Sequence, residues 1–290
     1  MVEAPKTWLI TGCSSGFGEL FVRQLRSQGH NVIATGRHAK ERLSHLADTD
    51  ASILELDVTA PISEIEAKVA DAWALYPDGI DVVVNNAGYI LSGAVEELTQ
   101  EEMEHAFRTN FHGPLNITRA VLPRLRAKGH GTLFFMSSQA GWHADPGAAG
   151  YCATKFALEG AVECLSKELE IFAPGLKVLI VEPGYFNTRA FSNINHVPAR
   201  APDYAQFNAG VRAVEAGIVG NEPGDASKAV AIMIDLVNGT GVAAGKKVPL
   251  RVPLGTDGWE RIRARGASLV NICDEWETVA KSTDKDSKGL

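Results

Sequence analysis

Short, nearly uninterrupted apolar runs alternate along this chain with longer stretches in which apolar residues return at helical spacing. Trp8-Leu9-Ile10 is the first such run, and Thr11-Gly12-Cys13-Ser14-Ser15-Gly16-Phe17-Gly18 follows at once. Residues 19–28 read as a helix with Leu20, Phe21 and Leu25 on one face. After Gly29, the run Asn31-Val32-Ile33-Ala34-Thr35 reads as a second strand. Similar runs recur at residues 53–56, 81–84, 132–136 and 178–181, with helical patterns between them. Continuous apolar strands alternating with helices predict an α/β fold, a doubly wound parallel sheet with helices on both faces. Such sheets bind ligands at the carboxyl ends of their strands.

The rhythm breaks after the last of these runs. Residues 187–224 carry Pro198, Pro202 and Pro223 with scattered aromatics, ahead of a helix-like run at 225–237. Long insertions in compact domains tend to be lids or binding loops, so 187–224 is expected to close over a substrate. The polar stretch 281–290 is expected to fray. No repeat or long linker divides the chain, and residues 1–290 are expected to form one domain.

Composition narrows the partners. Hydrophobic residues make up 45% and charged residues 22%, ordinary for a soluble globular protein with a large core. A net charge of −7 argues against nucleic acid or an anionic membrane as the main partner. Phosphate binding must then come from local geometry. Cys13, Cys152, Cys164 and Cys273 show no CxxC pattern and no metal spacing, which suits reduced thiols and no catalytic metal. No apolar stretch reaches the roughly 18 residues of a membrane span, and residues 1–8 lack the layout of a secretory leader. A cytoplasmic location is expected.

Two local patterns carry chemistry. The first is the glycine segment between strand and helix, spaced Gly-x3-Gly-x-Gly. Glycines there admit a pyrophosphate close to the backbone, and the helix N-terminus offers free N–H groups and the positive end of a dipole. An ordinary glycine turn is the alternative. The second is Tyr151 with Lys155, which a spacing of four puts on one helix face. At roughly 4 Å and an effective dielectric near 20, an ammonium favours a phenolate by about 4 kcal/mol before desolvation is subtracted. That is expected to bring Tyr151 toward acid–base work. Alone, YxxxK also occurs by chance on many helices.

Taken in register, TGxxxGxG, Asn85-Asn86-Ala87-Gly88, Asn110, Ser138, and Tyr151 with Lys155 resemble the short-chain dehydrogenase/reductase family, from about residue 7 to 188. Residues 11–18, 151–160 and 249–255 look most like its hydroxysteroid and retinol dehydrogenase branch. The resemblance implies a Rossmann-type fold and a nicotinamide cofactor. It places Gly12, Ser14, Ser15, Gly16, Phe17 and Gly18 at the pyrophosphate, Asp57 and Val58 at the adenine, and Asn86, Ala87 and Gly88 at the ribose. Asn85 is given a structural role, holding neighbouring loops. Pro183, Gly184, Phe186 and Thr188 match the family's turn near the nicotinamide amide.

Where NAD-binding relatives carry an acid at the end of the second strand, this chain has Gly36 and then Arg37. A guanidinium can grip a 2′-phosphate with two charge-assisted bonds, so NADP(H) is expected. Catalysis is expected from Tyr151 as proton donor and acceptor, Lys155 beside it and on the nicotinamide ribose, and Ser138 on the substrate oxygen, with Ser137 ranked below it. Asn110 would support a water linking Lys155 to solvent, or simply satisfy helix backbone groups.

Other residues read more simply. His112 reads as packing or exposed, and His143 as a candidate for the substrate wall together with Trp142, Tyr185 and Phe191. Glu96, Glu97, Glu101, Glu102 and Glu104 read as one solvated acidic face, and Arg119 as a surface charge. The resulting expectation is an NADP(H)-dependent oxidoreductase interconverting a ketone or aldehyde and an alcohol on a small apolar substrate such as a steroid, retinoid, polyketide or related metabolite. An isomerase or dehydratase with bound cofactor, or a non-catalytic dinucleotide sensor, are the alternatives. The helical stretches at 101–128 and 151–172 commonly pair between subunits in the family, which implies a homodimer or homotetramer.

Overall fold

The strands point alternate residues to opposite sides, and that alternation builds two cores. In the computed structural model, which describes residues 4–285, seven parallel strands form the main sheet. They are β1 (Thr7–Ile10), β2 (Asn31–Gly36), β3 (Ser52–Glu55), β4 (Val82–Asn85), β6 (Gly131–Met136), β7 (Leu176–Pro183) and β9 (Arg251–Leu254), in the order β3-β2-β1-β4-β6-β7-β9. Two short strands, β5 (Leu91–Ser92) and β8 (Asn195–His196), pair in parallel apart from it.

Trp8, Ile10, Val84 and Phe134 face α1 (Gly16–Ser27) and α8 (Ala226–Asn238). Leu9, Val83, Leu133 and Phe135 face α3 (Ile62–Ala74), α5 (Gly113–Lys128) and α6 (Ala149–Phe172). These side chains are wholly buried or nearly so. Each contributes about 1.5–3 kcal/mol by leaving water, so the sheet is held from both faces. The remaining helices are α2 (Ala39–Arg42), α4 (Gln100–Phe107), α7 (Ala205–Ile218), α9 (Thr256–Glu275) and α10 (Glu277–Lys281).

Local sequence explains two helix starts directly. Thr99 and Glu102 form a reciprocal capping box that starts α4. Asp225 accepts from the Ser227 and Lys228 N–H groups and starts α8, one residue after the predicted start. The predicted strands and the parallel, doubly wound order are found. Six elements lay outside the predicted pattern: the short β5 and β8, β9, α7 inside the 187–224 segment, the long α9 and the short α10. Of the stretch expected to fray, Lys281 ends α10, while residues 286–290 lie outside the described residues.

The strand order turns around between β1 and β4, and the carboxyl ends there open onto a crevice of about 1380 Å³. All four cysteines are free, Cys13 and Cys152 buried, Cys164 and Cys273 exposed. Among the described residues no helix is long and apolar enough to cross a membrane. No group of three or more His, Cys, Asp or Glu among them could hold a metal ion.

Candidate active site

One end of the crevice is shaped by main chain. Gly12 has a positive φ of 74°, and a Cβ there would come within 2.9 Å of Ala87 Cα. A Cβ on Gly18 would overlap the Gly12 carbonyl oxygen. Ser15 caps α1 without a side-chain bond, so the first-turn N–H groups have no side-chain acceptor at that cap. Gly12, Ser14, Ser15, Gly16 and Phe17 line the crevice, while Gly18 is buried behind them. The Asn86 side chain donates to the Thr11 and Gly12 carbonyls at 2.9 and 3.1 Å and holds the turn. The expected division is thereby changed. Asn86 performs the loop-holding role given to Asn85, whose buried amide finds no partner among the described residues.

Arg37, exposed after β2, lines the same end. So does Arg42, which had no role in the sequence-based expectation and whose only signal is a further cation, after Lys40, five residues beyond Arg37. Glu55, at the end of β3, accepts the His38 and Ala39 N–H groups at 2.7 and 2.6 Å, and these bonds hold its carboxyl below the usual range. Asp57 accepts from the N–H and hydroxyl of Thr59, and Val58 packs under Gly113. Ala87 and Gly88 continue the wall.

The middle of the crevice is made by β6 and α6. The Tyr151 and Ser138 hydroxyls stand side by side on the crevice wall, Ser138 acting on the phenol as a polar neighbour, and the Ala140 N–H donates to Ser138 Oγ at 3.1 Å. Ser137 is buried, its hydroxyl without a partner among the described residues. Lys155 Nζ lies 5.6 Å from the Tyr151 ring centre and donates to the Met136 carbonyl at 2.7 Å. Burial pushes Tyr151 up to about 12, with the Ser138 hydroxyl pulling the other way. Burial pushes Lys155 down to about 8, opposed by Glu159 one turn on. The expected acidification of Tyr151 is therefore outweighed by desolvation. At neutral pH the phenol keeps its proton.

Asn110 sits in a π-helical turn, Arg108–His112. Its amide nitrogen donates to the Tyr89 carbonyl at 2.9 Å and to Thr154 Oγ1 at 3.1 Å, and its oxygen accepts from the Tyr89 N–H at 3.0 Å. The side chain thus ties the segment after β4 to α6, one residue from Lys155.

Pro183 ends β7 and Gly184 follows it, its N–H donating to the Leu254 carbonyl. Phe186 meets Phe17 edge-on at 5.6 Å, and Thr188 faces Gly16. Together they close the glycine turn from the opposite side.

The far end is built from side chains of the 187–224 segment and α9. Tyr185 and Phe191 touch edge-on at 5.0 Å on its wall, which Phe207, Val211, Val214 and Ile218 of the amphipathic α7 also line. Arg261 of α9 also lines this end, bonded to Asp145 at 2.7 Å and lying over the Tyr185 ring. Asp145, not His143, reaches the wall; His143 pairs with Asp145 at 3.2 Å. Trp142 is not on the wall either, because its indole N–H donates to Glu182 at 2.7 Å. His112 and Arg119 are exposed.

Glu97 departs most from expectation. It is 1% exposed and accepts from the Arg200 and Ala201 N–H groups and from Asn208, which hold its carboxyl below the usual range. Arg200 also forks onto Glu102. The expected solvated acidic face is thus partly an anchor for the segment after β8. Ser92 and His196 both bond Glu215 of α7 at 2.6 Å, a second anchor.

An open parallel sheet with a glycine turn at the point where its strand order reverses defines a Rossmann-type dinucleotide fold. Residues 6–198 match the family described as short chain dehydrogenase. The match spans more than half of the chain, which belongs to the short-chain dehydrogenase/reductase family of oxidoreductases. The chain is 37% identical over 281 residues to an oxidoreductase, calM, of Penicillium decumbens, covering 91% of this chain and 88% of that one. It is 37% identical to a 3-ketodihydrosphingosine reductase of Bacteroides thetaiotaomicron over 69% of this chain and 72% of that one. A short-chain dehydrogenase from Streptomyces avermitilis superposes with a TM-score of 0.84 at 35% identity, over 98% of this chain and all of that one. An actinorhodin polyketide ketoreductase solved with NADPH superposes at 0.69 with 28% identity, over 88% of this chain and 96% of that one.

Proposed function

We propose that this protein is an NADP(H)-dependent oxidoreductase that interconverts a ketone or aldehyde and an alcohol on an apolar substrate, with Tyr151 as its acid and base. The observation that carries this reading is the pair of hydroxyls, Tyr151 and Ser138, together on the crevice wall with the Lys155 ammonium behind them. A phenol that keeps its proton at neutral pH suits donation to a carbonyl oxygen, the reductive direction. Ser138 is placed to hold that oxygen and stabilise charge growing on it. Lys155, fixed by the Met136 carbonyl, supplies a positive charge beside the phenolate left after donation.

The glycine turn fits a dinucleotide. It leaves no room for a Cβ at Gly12 or Gly18 and sets α1 with its first-turn N–H groups toward the crevice. Arg37 and Arg42 fit a 2′-phosphate, and the Glu55 carboxylate is turned to the His38 and Ala39 N–H groups at the start of α2. A bound nicotinamide supplies or accepts the hydride. Tyr185, Phe191 and the apolar face of α7 suit an elongated apolar substrate, held by 187–224 acting as a lid. Phe156 is 43% exposed on α6, consistent with pairing of that helix in a homodimer or homotetramer.

The test is consumption of NADPH and NADH against a panel of apolar ketones, aldehydes and alcohols. The reading expects NADPH-dependent turnover on an apolar carbonyl. Product without net change in cofactor would point to an isomerase or dehydratase, and cofactor binding without any turnover to a sensor.

A further inference from the structure

Behind the hydroxyl pair lies a second, buried cluster. Glu159 follows Lys155 by one turn on α6 and is 5% exposed; Glu182, 1% exposed, ends β7 just before Pro183 and Gly184. Arg251 of β9 donates to Glu159 Oε2 at 2.8 Å, to Glu163 at 2.9 Å, and stands 3.7 Å from Glu182 Oε1. Its guanidinium lies over the Trp142 ring at 5.6 Å, and that indole donates to Glu182 Oε1. Trp142 stands four residues beyond Ser138, at the end of the same short turn.

With Glu159, Glu163 and Glu182 all ionised, three carboxylates would face two cations: Arg251, shared among them, and Lys155, which acts on Glu159. Asp257 of α9 approaches from the Gly184 side, and the turn carrying Gln139 contributes no charge. Glu159 Oε1 is buried without a hydrogen-bond partner among the described residues. A carboxylate oxygen in that condition lacks a donor, and a carboxyl proton on the adjacent Glu182 would supply one.

We propose that Glu182 and Glu159 share one proton, and that this carboxyl pair, with Arg251 and Trp142, is a positioning device that holds the Ser138 turn against α6. The pair clamps three carriers of the site at once: α6 with Tyr151 and Lys155, the turn with Ser138, and the end of β7 leading into Gly184. The positioning part rests on the proposed roles of Ser138 and Tyr151; the shared proton does not. Burial and the charge of Glu159 push Glu182 up to about 7. The sign follows from a raised carboxyl: the protonated clamp is complete below the ordinary carboxylate range and is lost as pH rises through about 7. Above it two buried carboxylates repel, and the Ser138 turn is released from α6.

Infrared difference spectroscopy of the full-length protein reads the proton directly. A protonated-carboxyl C=O band is expected at pH 6, fading through pH 7, and absent in Glu182→Gln, whose amide donates to Glu159 and accepts from Trp142 at every pH. The kcat of the wild type should fall about tenfold through pH 7, a modest misplacement of Ser138, while Glu182→Gln loses that inflection and keeps only the fall near pH 8 at which Lys155 gives up its charge. Trp142→Phe should lower kcat about tenfold without raising the KM for NADPH. A spectrum with no carboxyl band that Glu182→Gln removes would overturn the shared proton. The wild-type kcat inflection at about pH 7, if retained in Glu182→Gln, would overturn the positioning role. Because the band is read without turnover, it distinguishes failure of this inference from failure of the carbonyl reading.

Discussion

The two ends of the crevice are made of different material. At the nucleotide end the shape is main chain: Gly12 and Gly18 set the turn, and Asn86 fastens it through two carbonyls. At the far end the shape is side chain, brought in from segments distant in sequence. Glu97 holds Arg200 and Asn208 from over a hundred residues away, Glu215 holds Ser92 and His196, and Arg261 meets Asp145. A backbone-built end permits no added atom but is indifferent to most side chains. A side-chain-built end can be reshaped one residue at a time. The first suits a cofactor common to many enzymes and the second a substrate particular to one.

The largest blow to this division falls between the ends. Tyr151→Phe should lower turnover by about 10³-fold, the size of a lost general acid, while a fluorescence titration shows NADPH binding nearly unchanged. Lys155→Met should lose activity and weaken NADPH binding together. Gly18→Ala tests the nucleotide end. The new methyl overlaps the Gly12 carbonyl, and about 1–3 kcal/mol of stability should go, read by thermal melting, with cofactor affinity falling alongside. Arg37→Asp should shift the NADP(H):NAD(H) preference by about 10- to 100-fold toward NAD(H), measured as the ratio of kcat/KM values. The smallest effect belongs to the far end. Glu97→Ala should raise the substrate KM by about tenfold or less and speed amide exchange at residues 200–208, leaving NADPH affinity alone. A Glu97 variant that weakened NADPH instead would erase the distinction between the ends.

Reaction direction sharpens the same picture. Because Tyr151 is raised to about 12, its proton is present at neutral pH and withdrawn only as pH climbs toward that value. Reduction should therefore decline, and alcohol oxidation rise, as the assay is made alkaline.

The division also governs how much was legible beforehand. The sheet, the glycine turn and the Tyr151–Lys155 face were readable because each is local: strand alternation, a backbone that only glycine fits, and a helical spacing of four. The clamp of Glu159, Glu182, Arg251 and Trp142 was not, since its members lie up to 109 positions apart and meet only after β7 and β9 pair. β9 itself hides behind Pro253, which lacks a donor and is tolerated because this strand forms the edge of the sheet. α9 carries polar residues over much of its surface and packs little of its length, so its period gives no firm sign. Glu97 resembled its acidic neighbours because nothing nearby announces that Arg200 will reach it. The balance at Tyr151 was misjudged for a related reason: pair spacing reveals the ammonium but not the depth of burial.

The placement of the thiols has a practical consequence. Cys13, set in the glycine turn, is pushed up to about 12 by burial, and Cys152 beside Tyr151 is likewise raised. Neither offers a thiolate to peroxide or to an alkylating probe, whereas Cys273 is exposed on α9, and Cys164 is exposed on α6, the helix proposed to pair between subunits. Oxidants should mark Cys273 first, and a maleimide dye should label it without touching the catalytic centre.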